Sequence, residues 1–418
     1  MVCIFKRQIF SVMISCDYNL SNVVKGKLRM KKTLISFLGN ARKSYDVLDY
    51  DWNGQKLTTE FIGVGLAQAT KPEKLLLVGT SGSMWDVFLE RQNAADDEHI
   101  MQLMEAVENN AVTEALLQPC LPHMAAKLGC EVACIIIEYA RNEAEQIDLL
   151  QRIAQQLNEN ERISIDVTHS FRHLPMLSLV ASRFLKQVKN IRTDHIYYAA
   201  MHMAGKNPVI ELNGMLKMLD WVDALSVYNH NGSYREFVEL FQREQADDAA
   251  KHLENASFFE NTNQIHQARS ALGSFRALPQ PESPLIGLFQ SELNQRTEWV
   301  RHSDYASRQL ENAKLHLEKG DYLRCGILAH EAWLSKMTYA YKGDASDYAQ
   351  RDEAAKFFVE QMKQGQKADF DCLNHLRNAL AHGSKSHNKR VQHALKTPEQ
   401  LRSELNKLIR AVEQWQAD

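Results

Sequence analysis

The sequence predicts two unlike parts: an α/β, Rossmann-like mostly parallel sheet with helices on both faces, then an all-α bundle. Three observations predict this. Short apolar runs alternate with helical periodicity as far as about residue 212. From Asn213 to residue 418 no strand signal returns. Between them, Ile163, Ile165 and Val167 run into a polar turn and then a helix with Pro175 in its first turn. A chain of 418 residues is also too long for one ordinary core.

Met1 to Arg29 lacks the periodicity of the rest of the chain and reads as an extension, or as a start upstream of the true one. The first domain is assigned to residues 30–212. Its first strand is Thr33 to Leu38, ending in the small turn Gly39-Asn40, which lets a ligand approach the backbone. Tyr45 to Trp52 and Gln55 to Ile62 flank Asn53-Gly54, a strong hairpin signal, and a short helix comes next, around Val64 to Ala69. Lys74 to Val78 is a buried strand leading to Gly79-Thr80-Ser81-Gly82-Ser83 and a further helix. Helices are expected around His99 to Leu116, His123 to Leu128 and Glu143 to Leu157, with a strand at Ala133 to Ile137. After Pro175 the helix is given an apolar face of Leu177, Val180, Ala181, Phe184 and Val188. Asp194 to Ala200 is the next strand, and Val209 to Leu212 is a short one after the turn Gly205-Lys206-Asn207-Pro208. Residues 213–284 form a helical connector ending at the turn Gln280-Pro281-Glu282-Ser283-Pro284, and residues 285–418 form the final bundle, with helices at Tyr322 to Tyr341 and Phe370 to Ala381.

Composition narrows the classes. A net charge of -3 argues against coating nucleic acid by bulk electrostatics, so any RNA contact must be local. The seven cysteines form no CxxC pair, which indicates neither a zinc ribbon nor a disulfide framework, and a reducing cytoplasm is the simplest location. No signal peptide, membrane span or metal site is expected. Neither a GK[ST] ending nor a GxGxxG fingerprint accompanies the Gly79 to Ser83 loop, so ATPase and dinucleotide readings fail.

In a parallel sheet, ligands bind at the carboxyl ends of the strands. Three strands end in ligand-friendly residues: Gly39 and Asn40; Thr80, Ser81, Gly82 and Ser83; and Thr168, His169, Ser170, Phe171 and Arg172. Each turn alone could simply cap a helix; their convergence on one edge favours an anion or nucleotide site. Trp85 reads as a buried helix residue rather than a base-stacking one, Cys130 and Cys134 as core or strand-edge residues rather than metal ligands, Arg324 and His330 as support or surface, and Asp96 to Glu98 as a solvated loop.

The second constellation is Arg377-Asn378-Ala379-Leu380-Ala381-His382, with the helix terminator Gly383 directly after it. The bare R-x4-H spacing means little. A five-residue step on a helix leaves Arg377 and His382 about 140° apart, an awkward site in one chain. Two copies across a twofold axis could bring both pairs to one phosphodiester, which calls for a homodimer, with further assembly left open. Such a site suits metal-free RNA cleavage: His382 moves a proton, Arg377 stabilises charge on phosphorus, Asn378 orients, and the 2′-hydroxyl attacks. DNA, lacking that hydroxyl, would resist. Lys385, Lys389 and Arg390 read as surface charge or as guides for RNA.

On these residues the chain resembles the CRISPR-associated ribonucleases that join an N-terminal CARF domain to a C-terminal HEPN domain. Asp166, Thr168 and His169 match the DxTHG motif of one branch, with Ser170 in place of its glycine, and Arg377 to His382 matches the HEPN pattern R-N-x-x-x-H. The resemblance runs from Met30 to the C-terminus. It implies a CARF dimer that binds a cyclic oligoadenylate, cyclic tetra-adenylate being the ring size chosen on resemblance, as activator of a HEPN dimer that cuts single-stranded RNA without a catalytic cofactor. Two alternatives stand beside it: a CARF protein that cleaves its own cyclic ligand through His169 or Thr168, and a nucleotide-sensing regulator that cuts nothing.

Overall fold

The computed structural model describes residues 30–40, 46–169, 171, 173–201, 203, 206–279 and 282–417. The extension Met1 to Arg29, the hairpin start at Tyr45, the site residues Ser170 and Arg172, the turn residue Gly205 and the linker residues Gln280 and Pro281 lie outside the described residues. The chain divides into two compact units, Met1–Leu216 and Lys217–Asp418.

In the first unit a six-stranded sheet has the order β5-β4-β1-β6-β7-β8, where β1 is Lys32–Leu38, β4 Lys74–Thr80, β5 Glu131–Ile137, β6 Arg162–Asp166, β7 Arg192–Ala199 and β8 Val209–Glu211. The first five of these run parallel, and β8 pairs antiparallel to β7. Chain order moves outward from β1 through β4 to β5, then returns to the other side of β1 for β6 and β7. That reversal is a topological switch point, where carboxyl-end loops part and leave a crevice. Both sheet faces are covered, so β1 and β4 read as unbroken apolar runs. Leu34, Leu38, Leu75 and Leu77 enter one core with Trp85 and Phe88; Ile35, Phe37, Leu76 and Val78 enter the other with Leu149, Ile153 and Leu185.

The Asn53-Gly54 signal forms its hairpin, β2 (Leu48–Trp52) with β3 (Gln55–Thr59). Both turn residues have positive φ, 51° and 79°, as the tight hairpin turn requires. Its tip is latched to the sheet edge, since Trp52 Nε1 and Asn53 Nδ2 both donate to Glu211 Oε1, at 3.2 and 3.1 Å. Helix α1 (Ile62–Thr70) comes next.

Several sequence expectations need correction. The helix expected over His99 to Leu116 is two: α3 (Asp97–Glu108) and α4 (Glu114–Leu117), with α2 (Trp85–Arg91) before them. Asn110 takes a positive φ of 51°, which stops the first, and the Thr113 side chain caps the second. Asp96 to Glu98 are not a loop, because Asp96 accepts the His99 N-H and starts α3. After α5 (Leu121–Leu128) and α6 (Glu143–Gln155), helix α7 (Leu174–Lys189) turns a different face inward from the one expected. Val180, Phe184 and Val188 are exposed, with Met176 in the same i, i+4 row, while Ser178, Ala181, Ser182 and Leu185 are buried. The serines can be buried because their hydroxyls donate to carbonyls of their own helix, Ser178 to Leu174 and Ser182 to Leu179.

The second unit is helical. Helices α8 (Asn213–Asn231), α9 (Arg235–Arg243), α10 (Asp247–Asn261), α11 (Ile265–Ala277) and α12 (Pro284–Arg296) precede α13 (Tyr305–Glu318), α14 (Tyr322–Ala340), α15 (Tyr348–Gln361), α16 (Gln364–His382), α17 (Lys389–Ala394) and α18 (Pro398–Gln414). Trp221, Phe237, Phe241 and Phe275 share one core with Trp333, Leu373 and Leu405. Helix α14 is its centre, burying Cys325, Leu328, Ala329, Ala332, Trp333 and Met337.

One of the tightest spots in the first unit is Gly63 of α1, where an added Cβ would stand 2.1 Å from Ser36 Oγ on β1. Gly63→Ala should therefore lower the free energy of unfolding by about 1–3 kcal/mol. A urea midpoint equal to that of the parent would contradict this close packing.

Candidate functional site

Asp166 ends β6 and is completely buried. A buried carboxylate must be matched by donors, and here Ser36 Oγ donates to Oδ2 at 2.7 Å while the Thr168 N-H donates to Oδ1 at 3.0 Å. The motif aspartate is thus a brace between β1 and the turn after β6. Thr168 Oγ1 accepts the Ala199 N-H at 2.9 Å, tying the turn to β7 as well. His169 is 7% exposed; burial pushes its imidazole below the ordinary value near 6.5, with the Asp166 charge pulling the other way.

The loops after β1 and β4 are bound to each other. Asn40 Nδ2 donates to the Gly82 carbonyl at 2.8 Å, and the Met84 N-H donates to the Gly39 carbonyl at 3.0 Å. Ser83 and Thr80 are buried; the Ser83 hydroxyl donates to the Leu38 carbonyl and accepts the Thr80 N-H. Both hydroxyls, read in the sequence as ligand contacts, face into the fold, because backbone groups where two strands part need partners. Trp85 is a buried helix residue, its Nε1 donating to the Thr80 carbonyl. Asn40 is exposed and Ser81 half-buried, so among the described residues the outward positions of the rim include Asn40, Ser81, Phe171 and His173, with Thr168 half-buried beside them.

The sequence reading missed the contribution from the end of β5. Tyr139 donates its hydroxyl to Asn110 Oδ1 at 2.9 Å, and His173 Nε2 donates to the Tyr139 carbonyl at 3.0 Å. The Tyr139 ring lies 5.9 Å from that of Phe171, tilted by 56°, and the Arg141 guanidinium stands 5.4 Å from its centroid. A Cβ on Gly82 would meet Asn110 Oδ1 at 2.1 Å and the Tyr139 hydroxyl at 2.8 Å, so the aromatic wall sits directly on the β4 turn. The signal was available: Glu138 to Arg141 come directly after the Ile135 to Ile137 strand, and the rule that singled out three other strand ends applies here too.

In the second unit, α16 keeps its helical form through His382, and Gly383 caps it with φ 62°. The separation of about 140° between Arg377 and His382 therefore stands. His382 is exposed, and Arg377 and Asn378 are half-buried. Arg377 Nη2 donates to Asn374 Oδ1 at 3.4 Å, whereas its Nε is buried without a hydrogen-bond partner. The arginine lies at the edge of the packed face, since a Cβ on Gly326 of α14 would come within 3.9 Å of the Arg377 Cα and 3.3 Å of Leu380 Cδ1.

Arg390 is not loose surface charge. Its Nη1 donates to Asp369 Oδ1 at 2.7 Å, and its Nε and Nη2 both reach Glu404 Oε1, at 3.2 and 2.5 Å. It clamps the start of α17 to α16 and α18, which fixes where the chain goes after His382. Arg324 is paired with Asp321 at 3.0 Å, and His330 is buried against the Phe370 ring. Among the described residues, no group of three or more His, Cys, Asp or Glu could hold a metal ion, and no helix is long and apolar enough to cross a membrane.

Because the unfolded chain protonates His169 below about pH 6.5 while the folded chain resists, the unfolded state binds more protons there and stability falls as pH falls. Urea midpoints taken from pH 7.5 to 5.5 should decline, and His169→Gln should flatten part of that slope. An unchanged slope in the variant would show that other groups carry it.

Residues 33–201 match the family model described as CRISPR system endoribonuclease Csx1, CARF domain. The match runs from β1 past the end of β7 and so includes the whole rim from Gly39 to His173. A CRISPR-associated protein of Methanocaldococcus jannaschii, MJ1674, is 24% identical over 280 residues, which are 60% of this chain and 44% of that protein. The matched stretch thus spans less than half of the relative's length.

Proposed function

We propose that the chain is a type III CRISPR accessory protein whose residues 33–201 form a CARF domain, a reading supported by the family-model match and by the likeness to a CRISPR-associated protein, and that it is a cytoplasmic endoribonuclease switched on by a cyclic oligoadenylate. In this reading residues 30–212 sense the ligand, 213–284 connect, and 285–418 form a HEPN unit that cuts single-stranded RNA as a homodimer. The observation that carries it is the exposed end of α16, where a free imidazole and a half-buried guanidinium with an unpartnered Nε stand on different sides of one helix. One copy supplies an incomplete site; a twofold pair supplies two imidazoles and two guanidinium groups.

The reaction needs no oxidant or water in its first step. One His382 takes the proton of the ribose 2′-hydroxyl as that oxygen attacks phosphorus. The bond from phosphorus to the 5′-oxygen breaks, and the second copy's imidazolium returns a proton to the leaving oxygen. Arg377 neutralises charge on the pentacoordinate phosphorus, and Asn378 orients the phosphate. Products are a 2′,3′-cyclic phosphate and a 5′-hydroxyl.

At the sensor, a cyclic tetra-adenylate lying across the twofold axis would meet Asn40, Ser81, the Gly39 and Gly82 backbone and the turn from Thr168 to Arg172 of each copy, with Phe171 and Tyr139 offering rings to adenine. The ligand activates by binding better to the arrangement in which the HEPN sites are aligned. Ligand cleavage by the sensor gains no support from Thr168 or His169, since one hydroxyl is bound to Ala199 and the imidazole is buried.

The test is cleavage of a fluorescent single-stranded RNA in EDTA by the purified full chain, with cyclic tri-, tetra- or hexa-adenylate or none. Cleavage should require one ligand and fall at least about a hundredfold in His382→Ala and Arg377→Ala, both still folded. Ligand binding without any cleavage would remove the nuclease half of the proposal and leave a sensor-regulator.

A further inference from the structure

The R-N-x-x-x-H run accounts for three side chains of α16, but the helix geometry adds a fourth. Asn374, Asn378 and His382 succeed one another at four-residue intervals, each about 40° on from the last, and so line one strip of the helix. Arg377 stands to one side of that strip, about 60° from Asn374, at the border of the buried face formed by Leu373, Leu376 and Ala379. It is joined to the strip through Asn374 Oδ1, which accepts from Nη2. We propose that Asn374 is a positioning residue of the RNA-cleaving site, holding the Arg377 guanidinium toward the His382 side of α16.

The physical need is clear from the side chains. An arginine has many rotamers to lose, and its charge helps the transition state only if it is already aimed when phosphorus becomes pentacoordinate. Packing against α14 fixes the Arg377 backbone, and burial of Nε fixes the stem. Neither fixes the rotation of the terminal fork. The Asn374 oxygen does so one helical turn away. Asn374 is itself half-buried, so it can hold the guanidinium without being cut off from a bound phosphate.

This inference rests on the ribonuclease reading and is tested within it. The same ligand-activated RNA assay, run over a range of RNA concentrations, should show kcat reduced about tenfold or more in Asn374→Leu with KM within about twofold, because binding of the ground state does not depend on the aim of one guanidinium. Asn374→Asp keeps the accepting oxygen and should restore most of kcat. In an Arg377→Lys background, Asn374→Leu should add little, since the fork it positions is gone. A melting curve for each variant checks that it is folded. If Asn374→Leu leaves kcat unchanged, or its effect is equally large in the Arg377→Lys background, the positioning role is overturned while the ribonuclease reading stands. A parent protein that cuts no RNA with any of the three ligands overturns both.

Discussion

The buried carboxylate of Asp166 is the constraint from which the first unit is built outward. A charged group with no access to solvent persists only when its oxygens are matched, and its two donors come from different elements, the Ser36 hydroxyl on β1 and the Thr168 N-H in the turn after β6. Gly63 lets α1 approach this pair, and the buried Tyr50 phenol, raised by burial and then by the Asp166 charge, closes it from the hairpin side. The switch point of the sheet is therefore pinned from both sides, and the rim of the candidate ligand site starts from that fixed point.

Much of this could be read in the sequence, and the misses have physical causes. The strands were legible because strands covered on both faces are continuous apolar runs, and the hairpin because Asn53-Gly54 suits two positive-φ positions. The face of α7 was misjudged because serine hides inside a packed layer when its hydroxyl binds a carbonyl of its own helix, leaving the apolar Met176, Val180, Phe184 row outside. Thr80 and Ser83 show the same ambiguity in reverse. Hydroxyls after a strand suit a phosphate, yet they suit the unpaired backbone of neighbouring strands equally well, and only the folded register decides.

Charge was the least legible property. Arg390 stands among lysines and histidines in a polar run, and its two acidic partners are 21 residues before and 14 residues after it. The Arg377 to His382 run was found by motif, and the angle between its ends came from helix geometry alone. Gly383 marked the end of that helix in the sequence, and α16 does run to His382 with Gly383 in the left-handed cap.

Gly326 gives the second unit a different kind of sensitivity. Its hydrogen atom is the spacer between α14 and the backbone that carries Arg377, with Leu380 only 3.3 Å from where a Cβ would be. The tolerance of the motif is accordingly set where no functional group exists. A tilt of the α16 axis would swing the end of the arginine stem further than its Cα, so a chemically empty position helps to set where the charged one lies.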